Sequence, residues 1–215
     1  MEKTLKAVIF DLDGVICFTD KYHYLAWKQL ADRLGIYFDE VINNRLRGVS
    51  RMASLEIILE RSEKAYSQEE KEAFAEEKNT TYRQLLANMS PADLADEVKN
   101  TLDELRARGY LLAIGSSSKN TKFILERIGL PTYFDAIADG TDITHSKPHP
   151  EVFLTAASKL GVEPALCAVV EDAKAGIEAA KAGGMVALAL HGDAEGCGLE
   201  DENLGTFADL LKYLP

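Results

Sequence analysis

Short apolar runs punctuate the chain at Ala7 to Phe10, Tyr110 to Gly115, Ala136 to Ala138, Cys167 to Val170 and Met185 to Leu190. The first, Ala7-Val8-Ile9-Phe10, has no polar alternation and stops abruptly at a carboxylate. Such a run suits a strand buried on both faces of a parallel sheet. Helical periodicity fills the intervals at about 94–108, 120–128, 150–160 and 173–182. Gly109, Gly129, Gly161 and Gly183 stand just past the last turns, where helices commonly stop. Strand alternating with helix predicts an α/β fold built on a doubly wound, Rossmann-like parallel sheet.

Residues 17–92 break that rhythm. They carry helical patterns at 22–34, 40–46, 51–62 and 67–88 with no strand among them. An all-helical block after the first strand reads as a cap domain inserted into an α/β core, which is then made of residues 1–16 and 93–215.

Composition narrows the function. The formal charge is −11, which argues against nucleic acid and against anionic membrane surfaces, since both need positive protein surface. A small phosphorylated substrate needs only a local cluster of cations and N–H groups. Cys17, Cys167 and Cys197 are an odd number and too scattered for a disulfide framework or a CxxC site. The N-terminal run reaches Asp11 too soon for a signal peptide or membrane span, so a cytoplasmic protein is expected.

The candidate chemistry sits at strand ends, where ligands of open α/β sheets bind. Asp11 and Asp13 close the first strand before Gly14. Two carboxylates so close repel unless a cation or a shared proton intervenes; a hard Mg²⁺ ion fits, and so does a solvated acid pair at a turn. Ser116, Ser117 and Ser118 follow the Tyr110 strand into the Lys119-Asn120 helix start, which suits phosphate oxygens but also an ordinary helix cap. Lys147 offers a point charge. Glu171 and Asp172 end another buried strand and make a second acidic pair.

In this order, Asp11-x-Asp13-Gly14, Ser116, Lys147-Pro148 and Glu171-Asp172 resemble the four signature motifs of the haloacid dehalogenase superfamily. The resemblance covers essentially the whole chain. It implies that Asp11 is a nucleophile forming an aspartyl phosphate and that Asp13 is a general acid/base. It further implies one Mg²⁺ held by Asp11, Asp13, Glu171 and Asp172, with Ser116 and Lys147 on the transferring phosphoryl group.

The cap narrows the resemblance. Thr19, His23 and Trp27 share a helical face at i, i+4, i+8. Arg47, Gly48, Val49, Arg51 and Ser54 form a polar turn running into a helix start, which fits a second phosphate site or a solvated surface turn. Together with Lys78-Asn79 and Ser116 to Asn120, these stretches are similar to the β-phosphoglucomutase branch of the superfamily. That similarity implies interconversion of β-glucose 1-phosphate and glucose 6-phosphate through β-glucose 1,6-bisphosphate. Arg51, Ser118 and Asn120 would then hold the spectator phosphate, Lys78 would contact the sugar, and His23 would help to position Asp13. The alternative is a Mg²⁺-dependent sugar-phosphate phosphatase. A monomer is expected.

Overall fold

The computed structural model describes residues 4–46 and 49–214. Strand β1 (Ala7–Phe10) is followed by helices α1 (Asp20–Leu34), α2 (Glu40–Asn44), α3 (Arg51–Leu59) and α4 (Gln68–Leu86). Then come α5 (Asp96–Ala107), β2 (Leu111–Gly115), α6 (Thr121–Arg127), β3 (Ala136–Ala138), α7 (Glu151–Leu160) and β4 (Cys167–Glu171). The chain continues through α8 (Lys174–Ala182), β5 (Val186–Leu190), β6 (Glu202–Leu204) and α9 (Leu210–Tyr213).

Among the described residues the strands form one parallel sheet in the order β3-β2-β1-β4-β5-β6. It is an α/β doubly wound sheet. Every residue of β1 is buried. Ile9 joins Val152, Phe153 and Ala156 of α7 in the core on one face, whereas Phe10 stacks on Phe207 at a centroid distance of 5.7 Å. Burial on both faces is why the β1 sequence lacks polar alternation.

Register positions the chemistry. Phe10 pairs with Ile114 of β2 and with Val170 of β4. The next residue on each strand is therefore Asp11, Gly115 or Glu171, so the three strands deliver their functional ends to one edge of the sheet.

The chain divides into two compact units between Phe18 and Thr19 and between Met89 and Ser90, where the sequence patterns had set the borders at 16/17 and 92/93. Cys17 stays with the core because it bridges to Asp13 and its amide donates to the Leu12 carbonyl. The second unit, 19–89, is helical and has its own core of Trp27, Leu30, Phe38, Ile42, Leu55 and Ile58. Its longest helix, α4, starts at a capping box in which Ser67 and Glu70 satisfy each other's backbone N–H groups.

Candidate active site

Asp11 leaves β1 with its amide donating to the Val170 carbonyl at 3.0 Å, which keeps it on the sheet for one residue beyond the strand. The chain then turns tightly. The amides of Ile16 and Cys17 both donate to the Leu12 carbonyl, and Gly14 N–H donates to Cys17 O at 2.7 Å. Gly14 has φ +93°, and a Cβ there would stand 2.1 Å from Asp172 Oδ2. Only glycine lets this turn press against the Asp172 carboxylate.

Lys147 is the hub of the cluster. Its buried Nζ donates to Asp11 Oδ1 and to Glu171 Oε1, each at 2.5 Å, and lies 4.6 Å from the centroid of the Phe153 ring. The other Glu171 oxygen accepts from the Ala173 amide at 2.8 Å. Behind Glu171, Gly176 leaves the space the side chain fills; a Cβ there would lie 2.0 Å from the Glu171 carboxyl carbon.

The charges do not balance. Burial works against the Lys147 ammonium, but the Asp11 and Glu171 carboxylates outweigh it and hold its pKa above the ordinary lysine value. Burial pushes Glu171 up, a shift that Lys147 opposes and Asp11 reinforces. Asp172 is pushed up to about 9, first by burial and then by Glu171, Asp11 and Asp13. Fully ionised, the three carboxylates around one lysine would carry excess negative charge, which is what holds Asp172 protonated without a cation, and all the donors are oxygen. A hard divalent cation such as Mg²⁺ fits this set, and the two glycines shape the pocket that holds the acids.

The serine stretch lies at the end of β2. Ser116 is buried; its amide donates to Ala138 O at 3.1 Å and its hydroxyl accepts from Ser118 N–H at 3.2 Å. Ser118 Oγ accepts from the amide of Asn120, the buried residue that precedes α6. Ser117 Oγ is a buried side-chain atom without a hydrogen-bond partner, a donor left for a ligand. Lys119 is exposed.

Within the helical unit, α1 and α4 build a separate polar cluster. Tyr82 donates its hydroxyl to Thr19 Oγ1 at 3.0 Å. Lys78 Nζ lies 2.9 Å from His23 Nδ1 and sits over the rings of Trp27 and Tyr82 at 4.8 and 4.4 Å. Burial, with the Lys78 and Arg51 charges behind it, holds the His23 pKa well below the ordinary histidine value, so the neutral ring accepts from Lys78. Thr19, His23 and Trp27 thus share the face that α4 covers. Arg51 opens α3, donates to Asn79 Oδ1 at 2.9 Å and approaches Glu76 at 3.7 Å. Ser54 is buried and Val49 exposed. Arg47 and Gly48 lie outside the described residues.

The sequence patterns missed Tyr82, which falls one turn after Lys78 on α4; that i, i+4 spacing was the available signal. They also missed Gly176, which no local motif marks.

The sequence and fold of this chain match a known family. A family model described as haloacid dehalogenase-like hydrolase matches residues 5–184. The chain belongs to that family. Among its relatives, the β-phosphoglucomutase of Bacillus subtilis (strain 168) is 45% identical over 186 residues, 86% of this chain and 82% of that protein. A fructose-1-phosphate phosphatase of Escherichia coli (strain K12) is 33% identical over 189 residues, 87% of this chain and 97% of the relative. The crystal structure of a β-phosphoglucomutase from Clostridium difficile superposes with a TM-score of 0.90 at 37% identity, covering 98% of this chain and 96% of that one. The haloacid dehalogenase-like fold therefore extends across both units described here, and its relatives include a mutase as well as a phosphatase.

Proposed function

We propose that the protein is a Mg²⁺-dependent phosphomutase that interconverts β-glucose 1-phosphate and glucose 6-phosphate. The observation that carries this reading is the Asp11–Lys147–Glu171 cluster, joined to the 45% identity with the Bacillus subtilis β-phosphoglucomutase.

Asp11 is the nucleophile. A carboxylate oxygen attacks phosphorus, the bond from phosphorus to the sugar oxygen breaks, and the leaving oxygen takes a proton from Asp13. In the opposite half-reaction the sugar hydroxyl gives its proton to Asp13 as its oxygen attacks the aspartyl phosphate. β-Glucose 1,6-bisphosphate is the intermediate that turns around between the half-reactions, so that either of its phosphates can face Asp11. Asp11, Asp13, Glu171 and Asp172 would hold Mg²⁺, which when bound offsets the negative charge of the transferring phosphoryl group. Lys147 and Ser116 add fixed donors to the phosphoryl oxygens, and Ser117 contributes its unpartnered hydroxyl. Arg51, Ser118 and Asn120 are assigned to the phosphate that does not react. Lys78 is assigned to the sugar.

The protein acts as a monomer in the cytoplasm in this reading. The three cysteines are free thiols, in keeping with a reducing compartment, and no described helix is long and apolar enough to cross a membrane.

The test is covalent. Rapid quenching after mixing with bisphosphate labelled in its phosphates should leave hydroxylamine-sensitive label on the wild-type chain and none on Asp11→Asn. Equal labelling of both would refute the assignment. A phosphatase reading rests on the Escherichia coli relative and differs only in that water, rather than a sugar hydroxyl, takes the phosphoryl group.

A further inference from the structure

The segment between β3 and α7 carries a second cluster, apart from the acidic one. His145, His149 and Glu151 each place a ligand atom within 4.8 Å of the others. His145 Nδ1 is 2.9 Å and His149 Nδ1 is 3.9 Å from the same oxygen, Glu151 Oε2. The two imidazole rings lie 4.7 Å apart, tilted by 34°. Thr144 Oγ1 is 2.9 Å from His145 Nδ1 and 3.1 Å from either Glu151 oxygen.

The carboxylate in this cluster is already fixed. Glu151 accepts from the backbone N–H groups of Thr144 and His145 at 2.9 and 2.8 Å, which ties the loop back onto the first residue of α7. Supporting bonds of this kind orient a metal ligand before the ion arrives. The histidine side chains are 66% and 52% exposed; His149 Nδ1 accepts from the Glu151 amide at 3.3 Å, a contact that an incoming ion would replace. Ligands of a tetrahedral Zn²⁺ sit about 3.3 Å from one another, given metal–ligand bonds of about 2.0–2.1 Å. The observed 2.9 and 3.9 Å separations bracket that spacing.

We propose that His145, His149 and Glu151 form a surface site for a late first-row divalent cation, with Zn²⁺ as the representative ion. Two imidazoles and one carboxylate are a three-ligand set suited to zinc, whereas Mg²⁺ prefers oxygen donors alone. Thr144 Oγ1 or water completes the coordination. The site brackets Lys147 in sequence, so an ion bound there holds the loop that presents the lysine to Asp11 and Glu171. It does not depend on which phosphate ester the protein turns over.

The test is calorimetric titration of Zn²⁺ into the full-length protein in excess Mg²⁺, which occupies the acidic cluster. One zinc equivalent is expected. His145→Ala and His149→Ala should each weaken it by at least about tenfold, the lower range for losing even a supporting contact of a metal ligand. The double variant should lose it, while its zinc-free, Mg²⁺-dependent turnover stays at the wild-type level. On the wild type, zinc should shift the ring proton resonances of His145 and His149 and leave His23 and His191 in place, a readout that needs no variant. Failure of the wild type to bind zinc in excess Mg²⁺, unchanged affinity in the double variant, or shifts at His23 or His191 alone would each overturn the proposal.

Discussion

Lys147 Nζ lies 2.5 Å from Asp11 Oδ1, although 136 positions separate the two residues in the chain. The same nitrogen reaches Glu171 Oε1. One cation therefore neutralises the proposed nucleophile and holds a proposed metal ligand. Lys147→Ala should cut turnover by about 10²–10³, as expected for losing one fixed donor to a developing oxyanion. Breaking a buried pair should also cost about 3–5 kcal/mol of stability, less when Mg²⁺ is bound. Steady-state kinetics and urea unfolding, each with and without Mg²⁺, measure the two effects. Near-normal turnover would remove Lys147 from the site.

The two cradle glycines carry a separate consequence. Gly14→Ala drives a methyl group into Asp172, and Gly176→Ala drives one into Glu171. Both should raise the Mg²⁺ concentration needed for half-maximal activity. Gly35→Ala is the control, because open space surrounds its Cβ position and only the positive φ is strained. It should cost stability of about 1–2 kcal/mol with no change in Mg²⁺ requirement. A Mg²⁺ requirement that moves equally in all three would contradict the cradle.

Asp172 links the site to pH. Its pKa rises from 3.8 to about 9 on folding without metal. A raised folded value favours the protonated native state, so its contribution is complete below the unfolded pKa and is lost as pH climbs through about 9. Metal-free protein should therefore lose stability as the solution is made alkaline. Mg²⁺ reverses the trend by stabilising the ionised acids, so the rise in Tm on adding it should be larger at pH about 8 than at pH about 6. Scanning calorimetry at both pH values checks this. A Mg²⁺ effect that shrinks as pH rises would be the wrong sign.

Much of this architecture was legible in the sequence, because buried parallel strands announce themselves. The runs at β1, β2, β3, β4 and β5 are apolar throughout or nearly so. Strand β6 was not found: Glu202 and Asn203 are exposed, and only Leu204 is buried on this edge strand. Helix α5 starts at Asp96 rather than near 94, since Pro91–Asp93 form a separate 3-10 turn and Leu94 is extended. The strand-end acids and Lys147 were legible from the order of their motifs along the chain, not from any one of them alone. Their mutual contacts were not: register across β1 and β4 brings Asp11 beside Glu171, and Lys147 reaches both from the loop between β3 and α7, a long-range meeting that no local pattern encodes. Likewise the Lys78–His23 contact joins helices 55 positions apart.

In the proposed function, Arg51 is the residue that separates mutase from generic phosphatase chemistry. It is assigned to the non-reacting phosphate, which a small phosphate ester lacks. Arg51→Ala should weaken β-glucose 1-phosphate turnover far more than p-nitrophenyl phosphate hydrolysis. Arg51→Lys should recover only part of the loss, because the planar guanidinium also binds Asn79. Equal losses on both substrates would remove Arg51 from the phosphate site.

The most direct measurement follows glucose 6-phosphate and free phosphate side by side, starting from β-glucose 1-phosphate, Mg²⁺ and a trace of β-glucose 1,6-bisphosphate. Wild-type protein should form glucose 6-phosphate in large excess over free phosphate, and Asp11→Asn should form neither. Free phosphate without glucose 6-phosphate would contradict the mutase assignment. Glucose 6-phosphate formation by Asp11→Asn at near-normal rate would contradict the covalent mechanism itself.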